Sequence, residues 1–284
     1  MTEIPFYVDL KEKVVVITGG SGVLGAEFAS ALAQCGAKVA IIGRDEDKLK
    51  GVCDEIEENG GKALGIVANV LEKESLESAH KKVLEHFGPC HILLNGAGGN
   101  HPKGTTTKEY FEPGDLEDEE LLSFFDLDTE GVRHVFDLNF MGTLLPCQIF
   151  SKDMIGKKGC TIINISSMNA FSPLTKIPAY SGAKAAVNNF TQWLAVHMSK
   201  VGIRVNAIAP GFFITSQNEK LLLDENGDYT DRAEKIIGQT PMDRFGEKNE
   251  LVGTLLYLVD ANASGFVNGV VIPVDGGFSA YSGV

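Results

Sequence analysis

No two cysteines in this chain are spaced C-x-x-C, and no histidines fall in an H-E-x-x-H pattern. No apolar run approaches the roughly 20 residues that span a bilayer. Each absence excludes something. The cysteines, Cys35, Cys53, Cys90, Cys147 and Cys160, are odd in number and scattered, which reads as buried, reduced thiols in a cytoplasmic protein. Without ligand spacing among the histidines, no metal site is expected. Positive charge is scarce: 25 lysines and arginines face 38 acids, a formal net charge of -13. Such a surface repels nucleic acid and anionic membranes. An anionic substrate would need a local cluster of cations working against that field. The stretch "MTEIPFYVDLKEK" places two acids before any apolar run, unlike a secretory signal.

What is present is an alternation. "KVVVITG", "AKVAIIG", "KALGIVANV", "HILLNGAGG", "CTIINISS", "IRVNAIAPG" and "GFVNGVVIPVDGG" read as strands, most of them apolar runs suited to burial on both faces. Helical segments lie between them. That pattern predicts one doubly wound α/β domain over residues 1–284, a seven-stranded parallel sheet covered on both sides. Residues 100–130 break the rhythm and read as an acidic surface insertion without regular structure. A long helix follows, with Pro146 as its expected kink. Residues 212–245 read as a substrate loop with a short helix. Ligands of such sheets sit beyond the carboxyl ends of the strands, where strand order reverses.

"TGGSGVLG", residues 18–25, joins the first strand to the first helix. From Gly20 it reads G-x-G-x-x-G; from Thr18 it reads T-G-x-x-G-x-x-G, a spacing met in larger reductases and sugar-nucleotide epimerases. Either way, Gly19, Gly20, Gly22 and Gly25 clear a helix N-terminus for a dinucleotide pyrophosphate. At the end of the second strand, where many such sites carry an acid for the ribose hydroxyls, Gly43 and Arg44 stand instead. A guanidinium suits a 2′-phosphate, which favours NADP over NAD. Asp45, one residue on, keeps NAD open.

Tyr180 and Lys184 are four apart on one helical face. A nearby ammonium favours phenolate and would lower the Tyr180 pKa towards the working range of a proton-transfer catalyst. Ser167 ends the fifth strand, thirteen residues before Tyr180, and could hold a reacting oxygen. Asn139 offers a helical amide.

Together these features resemble the short-chain dehydrogenase/reductase family over essentially the whole sequence: the Thr18–Gly25 loop, Asn95-Gly96-Ala97-Gly98, Asn139, Ser167, Tyr180-x-x-x-Lys184, Pro210-Gly211 with Thr215, and the closing "VDGG". The resemblance implies a catalytic tetrad of Asn139, Ser167, Tyr180 and Lys184. Tyr180 would exchange the hydroxyl proton, Ser167 orient the oxygen, Lys184 bind the nicotinamide ribose, and Asn139 keep a water in the proton path. It implies cofactor contacts at Gly19, Ser21, Gly22, Val23, Leu24, Gly25, Arg44, Asn69, Val70, Asn95, Ala97, Gly98, Tyr180, Lys184, Pro210, Gly211, Phe213 and Thr215. It also implies a homotetramer built on the helices of residues 131–156 and 178–200. The sequence departs from the family at Gly96, usually Asn, and at Asn69, usually an Asp that contacts adenine.

The segments "NGAGGNHPKGTT", "FFDLD", "ISSMNAFSPLTKIPAYS", "FTQWLAVH", "APGFF" and "VDGGFSAYSGV" are more particular. They are similar to the D-mannonate oxidoreductases (fructuronate reductases) of the short-chain type, which implies a polyhydroxylated carboxylate substrate. Asn100, His101, Lys103, Asn169 and Lys176 are the candidates to hold it. Alternatives are a reductase of another sugar acid such as 5-ketogluconate, or of a general ketone; a sugar-nucleotide epimerase, disfavoured by the lack of a second domain; and a non-catalytic cofactor sensor, disfavoured by the intact tetrad.

Overall fold

The apolar runs become strands because hydrophobic side chains leave both faces of the backbone at once. β1 (Val14–Thr18) is buried at every position, as is β4 (Ile92–Asn95). β2 (Lys38–Gly43), β5 (Cys160–Ile165) and β6 (Ile203–Pro210) are buried at nearly all of theirs. β3 (Lys62–Val67) alternates between buried and exposed positions, and β7 (Val271–Val274) is half-buried; these two are the sheet edges. The seven strands pair in parallel in the order β3-β2-β1-β4-β5-β6-β7. The fold is a single Rossmann-like domain, as the alternation predicts. The computed structural model describes residues 7–215 and 218–283. The first six residues of the stretch read as lacking a secretory signal lie outside the described residues, as do 216 and 217 of the expected substrate loop.

The connecting helices are α1 (Val23–Gln34), α2 (Glu46–Glu58), α3 (Lys73–His86), α4 (Thr129–Phe136), α5 (Gly142–Phe150), α6 (Pro178–Met198), α7 (Glu219–Leu222), α8 (Asp231–Ile237), α9 (Val252–Val259) and α10 (Ala261–Ser264). Because side chains alternate along a strand, the sheet feeds two cores. Val15 and Ile17 pack with Phe28 and Leu32 of α1 and Leu255 and Leu258 of α9. Val14 and Val16 pack on the other face with Leu76 and Val83 of α3, Phe150 of α5 and Leu194 of α6. Burying each such side chain stabilises the fold by about 1.5–3 kcal/mol.

Two expectations need correction. The long helix after the insertion is interrupted upstream of Pro146, by a π turn at Asp137–Met141 in which the Gly142 N–H reaches back to the Asp137 carbonyl. Pro146 lies inside regular α5. Side chains take up carbonyls there: Asn139 Nδ2 donates to Val135 O at 2.7 Å and Thr143 Oγ1 to Asn139 O at 2.8 Å. The insertion is not structureless either. It folds as three 3-10 turns, Pro102–Gly104, Pro113–Glu117 and Phe124–Asp126, the last two closed by capping boxes.

The strand order reverses between β1 and β4, so the loops after those two strands flank a crevice at the sheet's carboxyl end.

Candidate active site

After β1 the backbone turns sharply into α1. Gly19 adopts φ +65°, and a Cβ there would lie 2.8 Å from the Ala97 backbone. On Gly25 a Cβ would lie 2.4 Å from the Gly19 carbonyl oxygen. Packing of strand, turn and helix thus dictates both residues. Gly22 differs: its nearest neighbour is 3.3 Å away, and it caps α1 without a side chain. The first intrahelical bond runs from Ala26 to Gly22, so the N–H groups of Val23, Leu24 and Gly25 have no intrahelical acceptor. Uncapped amides under a bare glycine fit a pyrophosphate.

At the ribose end, a Cβ on Gly43 would lie 2.7 Å from Ser21 Oγ. Ser21 therefore closes the place where an acid would stand. Arg44 is exposed, with no carboxylate within 4 Å among the described residues. Asp45 is engaged elsewhere: its carboxylate accepts the Lys48 N–H at 3.1 Å as the N-cap of α2.

Two amides in the expected cofactor set make hydrogen bonds within the protein. The Asn69 side chain folds onto the start of α3, with Oδ1 accepting from Leu71 N at 3.1 Å and Nδ2 donating to Glu72 at 2.7 Å. Buried Val70 packs in the second core beside it. Asn95 is 1% exposed, and its Nδ2 donates to Asn164 Oδ1 at 2.8 Å and to Cys147 Sγ at 3.2 Å. Asn164 in turn donates to Thr191 Oγ1 at 2.8 Å. The Asn95 side chain is thus a peg between β4, β5 and α6, which leaves only the backbone of this residue for a cofactor contact. The following loop does line the crevice. The Ala97 N–H approaches Thr18 Oγ1 at 3.4 Å, and a Cβ on Gly98 would meet Asn139 Oδ1 at 2.7 Å and Lys184 Nζ at 3.1 Å.

The catalytic candidates gather beside that loop. Lys184 Nζ lies 5.6 Å from the Tyr180 ring centroid and donates to the Ile165 carbonyl at 2.8 Å. Burial without a carboxylate partner pulls the Lys184 pKa down to about 8. Burial pushes the Tyr180 phenol up, against a smaller opposing effect of its hydrogen bond to Ser167. The expected lowering by Lys184 is not seen in the protein alone: the shift is upward, desolvation dominates it, and what opposes it is the Ser167 hydrogen bond. Ser167 lies two residues past β5, and its Oγ also accepts the Asn169 N–H at 3.3 Å, opening a 3-10 turn. Asn139 is fully buried; besides Val135, its amide donates to Gly99 O at 2.7 Å and accepts from Gly99 N at 3.2 Å. It fixes the Gly98–Gly99 loop against Lys184, and its amide is spent on backbone rather than left for water.

On the far side, Gly211 follows Pro210 at the end of β6, and a Cβ there would lie 2.6 Å from Asp275 Cα. Phe213 is buried and bridges to Gly246. Thr215 is held by Asn218, which accepts from its N–H at 2.7 Å.

The substrate candidates scatter more. Asn100 donates to Thr105 Oγ1 at 3.0 Å and is exposed. The His101 ring lies edge-on to His134 at 5.3 Å, and its Nδ1 accepts the Lys103 N–H at 3.2 Å. Lys103 sits 3.5 Å from Asp128 and points to solvent. Asn169 is buried next to Ser167. Lys176 lies four residues before Tyr180, and its carbonyl accepts the Thr106 N–H at 2.9 Å, tying the insertion to the catalytic segment. Sequence reasoning named Ser21 without its contact over Gly43, and did not single out Glu109, which Lys235 of α8 pairs with and Arg232 acts on electrostatically. The Arg232–Lys235 spacing, one turn of α8 on one face, was an available signal.

Among the described residues no group of histidines, cysteines and acids is arranged to hold a metal, and no helix is long and apolar enough to cross a membrane. The short chain dehydrogenase family profile matches residues 13–226. An uncharacterized oxidoreductase of Bacillus subtilis (strain 168), UxuB, is 52% identical over 281 residues, covering 99% of this chain and 100% of the relative. The NAD-bound crystal structure of a protein provisionally described as a D-mannonate oxidoreductase from Haemophilus influenza superposes with a TM-score of 0.93 at 57% identity, covering 97% of this chain and 98% of that one. A gluconate 5-dehydrogenase from Burkholderia cenocepacia J2315, in complex with NADP and tartrate, matches with a TM-score of 0.79 at 27% identity, covering 96% and 97%. With its glycine loop, its Tyr180–Lys184 pair and these likenesses, the chain belongs to the short-chain dehydrogenase family and is an NAD(P)-dependent oxidoreductase.

Proposed function

We propose that this oxidoreductase interconverts a keto sugar acid and its secondary alcohol, with D-fructuronate and D-mannonate as the pair. The observation that carries the chemistry is the Ser167–Tyr180–Lys184 cluster against the Gly98–Gly99 loop. The likeness to a provisional D-mannonate oxidoreductase and to a gluconate 5-dehydrogenase supports the substrate class.

A bound dinucleotide supplies hydride chemistry, and the protein's own residues handle position and proton. The uncapped start of α1 holds the pyrophosphate. Ser167 holds the reacting oxygen. A phenol kept protonated by burial is the form that donates a proton to a carbonyl oxygen, so Tyr180 is the proton donor in reduction. Lys184, titrating near 8, carries the neighbouring positive charge, and Asn139 holds the loop that confines it. Pro210, Gly211, Phe213 and Thr215 form the wall against the nicotinamide.

Cofactor choice has support on both sides. Free, exposed Arg44 beside a glycine favours NADP, while NAD is bound in the Haemophilus structure. All five cysteines are free thiols, in keeping with a cytoplasmic location. Assembly as a homotetramer through α5 and α6 is supported by Trp193 and Val196 standing 56% and 76% exposed on α6. The test is initial rates on D-fructuronate, 5-ketogluconate and 2-ketogluconate with NADH and NADPH in parallel. Turnover of fructuronate is expected, and its absence would sink the substrate assignment.

A further inference from the structure

A protein with net charge -13 must gather cations locally to attract an anion. Around the mouth of the crevice most cations are already neutralised. Lys103 pairs with Asp128 at 3.5 Å, and Lys108 pairs with Glu112 at 3.0 Å and Asp115 at 2.7 Å. One cluster differs. Lys235 of α8 makes an ion pair with Glu109 of the insertion, 126 residues away in sequence. Arg232, one helical turn earlier on the same face, and Lys176, four residues before Tyr180, also act electrostatically on Glu109 and help hold its carboxyl below its ordinary value. Among the described residues, neither Lys176 nor Arg232 has a carboxylate oxygen within 4 Å. Lys235 thus pairs with Glu109 directly and Arg232 and Lys176 lie within electrostatic reach of it, while Asp231, which shares the Lys235 side of α8, has no cation within 4 Å among the described residues.

The placement links this cluster to the reacting groups. Glu109, Thr175 and Pro178 line a common cavity of about 210 Å³ under the insertion, and Thr175 to Pro178 lead directly into Tyr180. Glu109 is only 26% exposed, although it belongs to a loop rich in solvated acids. α8 belongs to the segment that follows Thr215 and reaches the insertion through the Lys235–Glu109 pair, with Ala233 buried against Leu222 and Phe245.

We infer that the carboxylate of the substrate is received at this mouth by Lys176, Arg232 and Lys235, and that the Glu109 carboxylate stands in for it until substrate arrives. The inference rests on the sugar-acid reading and assigns that reading its anion-binding end. An incoming carboxylate takes over the cations from Glu109, so Glu109 tunes affinity against small acids. A substrate without a carboxylate gains nothing from the exchange.

The test compares a keto sugar acid with the uncharged ketose of the same length, using the enzyme loaded with its dinucleotide. In the R232Q/K235Q double variant, kcat/KM for the acid relative to the ketose should fall by roughly 10- to 100-fold, the range expected for lost charge-assisted hydrogen bonds, with the fall lying in KM. Glu109→Gln should move the ratio the other way, by a few-fold at low salt. Equal changes for acid and ketose, or none, would overturn the inference. If the wild type turns over no sugar acid, the proposed substrate fails, and binding decides the cluster separately. Calorimetric titration with D-gluconate and with uncharged D-glucitol should show gluconate bound by the wild type and weakened in the double variant. Gluconate binding that is absent, or indifferent to the substitutions, would overturn it.

Discussion

The sheet and the insertion are held together by different physics. In β1 every side chain is buried, and the strand is pinned by parallel ladders to β2 and β4. The insertion holds its shape through polar staples: two capping boxes, Lys108 between Glu112 and Asp115, and Thr107 paired to Leu122 at 2.8 and 2.9 Å. Its aromatic residues remain outside, with Tyr110, Phe124 and Phe125 exposed by 76%, 69% and 67%. The sheet supplies rigidity, and the proposed reacting groups sit on its rim. The insertion covers a cavity beside the Thr175–Pro178 segment at low cost in core volume, which is where the proposed substrate identity is expected to be decided.

The comparison can be broken or sharpened by experiment. The largest effect is expected at the rim: Tyr180→Phe should lower kcat by about 10²- to 10⁴-fold, the usual contribution of a positioned proton donor. Titration of dinucleotide fluorescence should show cofactor binding retained; a variant of near-normal rate would remove Tyr180 from the chemistry. Next comes the core. Leu93→Ala in β4 should cost about 2–5 kcal/mol, whereas Phe124→Ala in the insertion should cost under about 0.5 kcal/mol. Urea melts of the two variants would read the difference directly, and equal losses would show that the insertion shares the core.

A smaller effect is a pH dependence. Lys184 titrates near 8 in the fold against 10.5 in an open chain. Between those values the unfolded protein binds the proton that the folded one has released, so this group makes stability rise with pH across that window. Below pH 8 both states are protonated and the burial cost is complete. Wild type should therefore gain stability relative to Lys184→Met between pH 8 and 10.5, measured as a difference in denaturation midpoint. Smallest of all, Arg44→Asp should shift the NADPH-to-NADH preference by about tenfold towards NADH, equivalent to about 1.4 kcal/mol. Unchanged preference would free Arg44 from that role.

Burial on both faces leaves continuous apolar runs, so the seven strands and the helices between them were legible in the sequence. So were the glycine loop and the Tyr180–Lys184 pair, whose spacing is itself the chemistry. The insertion's turns were not, because a capping box at Ser123 and Asp126 leaves no hydrophobic period. Where a side chain points was equally hidden. Asn69 and Asn95 stand where cofactor contacts were expected, yet one caps a turn and the other pegs the core. The π turn at Asp137–Met141 carries Asn139, whose amide bonds Gly99 across the fold, whereas Pro146 carried the local signal and left its helix regular.

The contact between Ser21 and the place of a Gly43 side chain sets how this enzyme can change its diet of electrons. An acid arriving at position 43 would bring its first carbon within 2.7 Å of Ser21 Oγ, so the serine side chain must rotate away. A lineage moving towards strict NAD use through position 43 must therefore accommodate residue 21 as well. The exposed neighbour at 44 has no such lock, so drift in dinucleotide preference should be recorded there first.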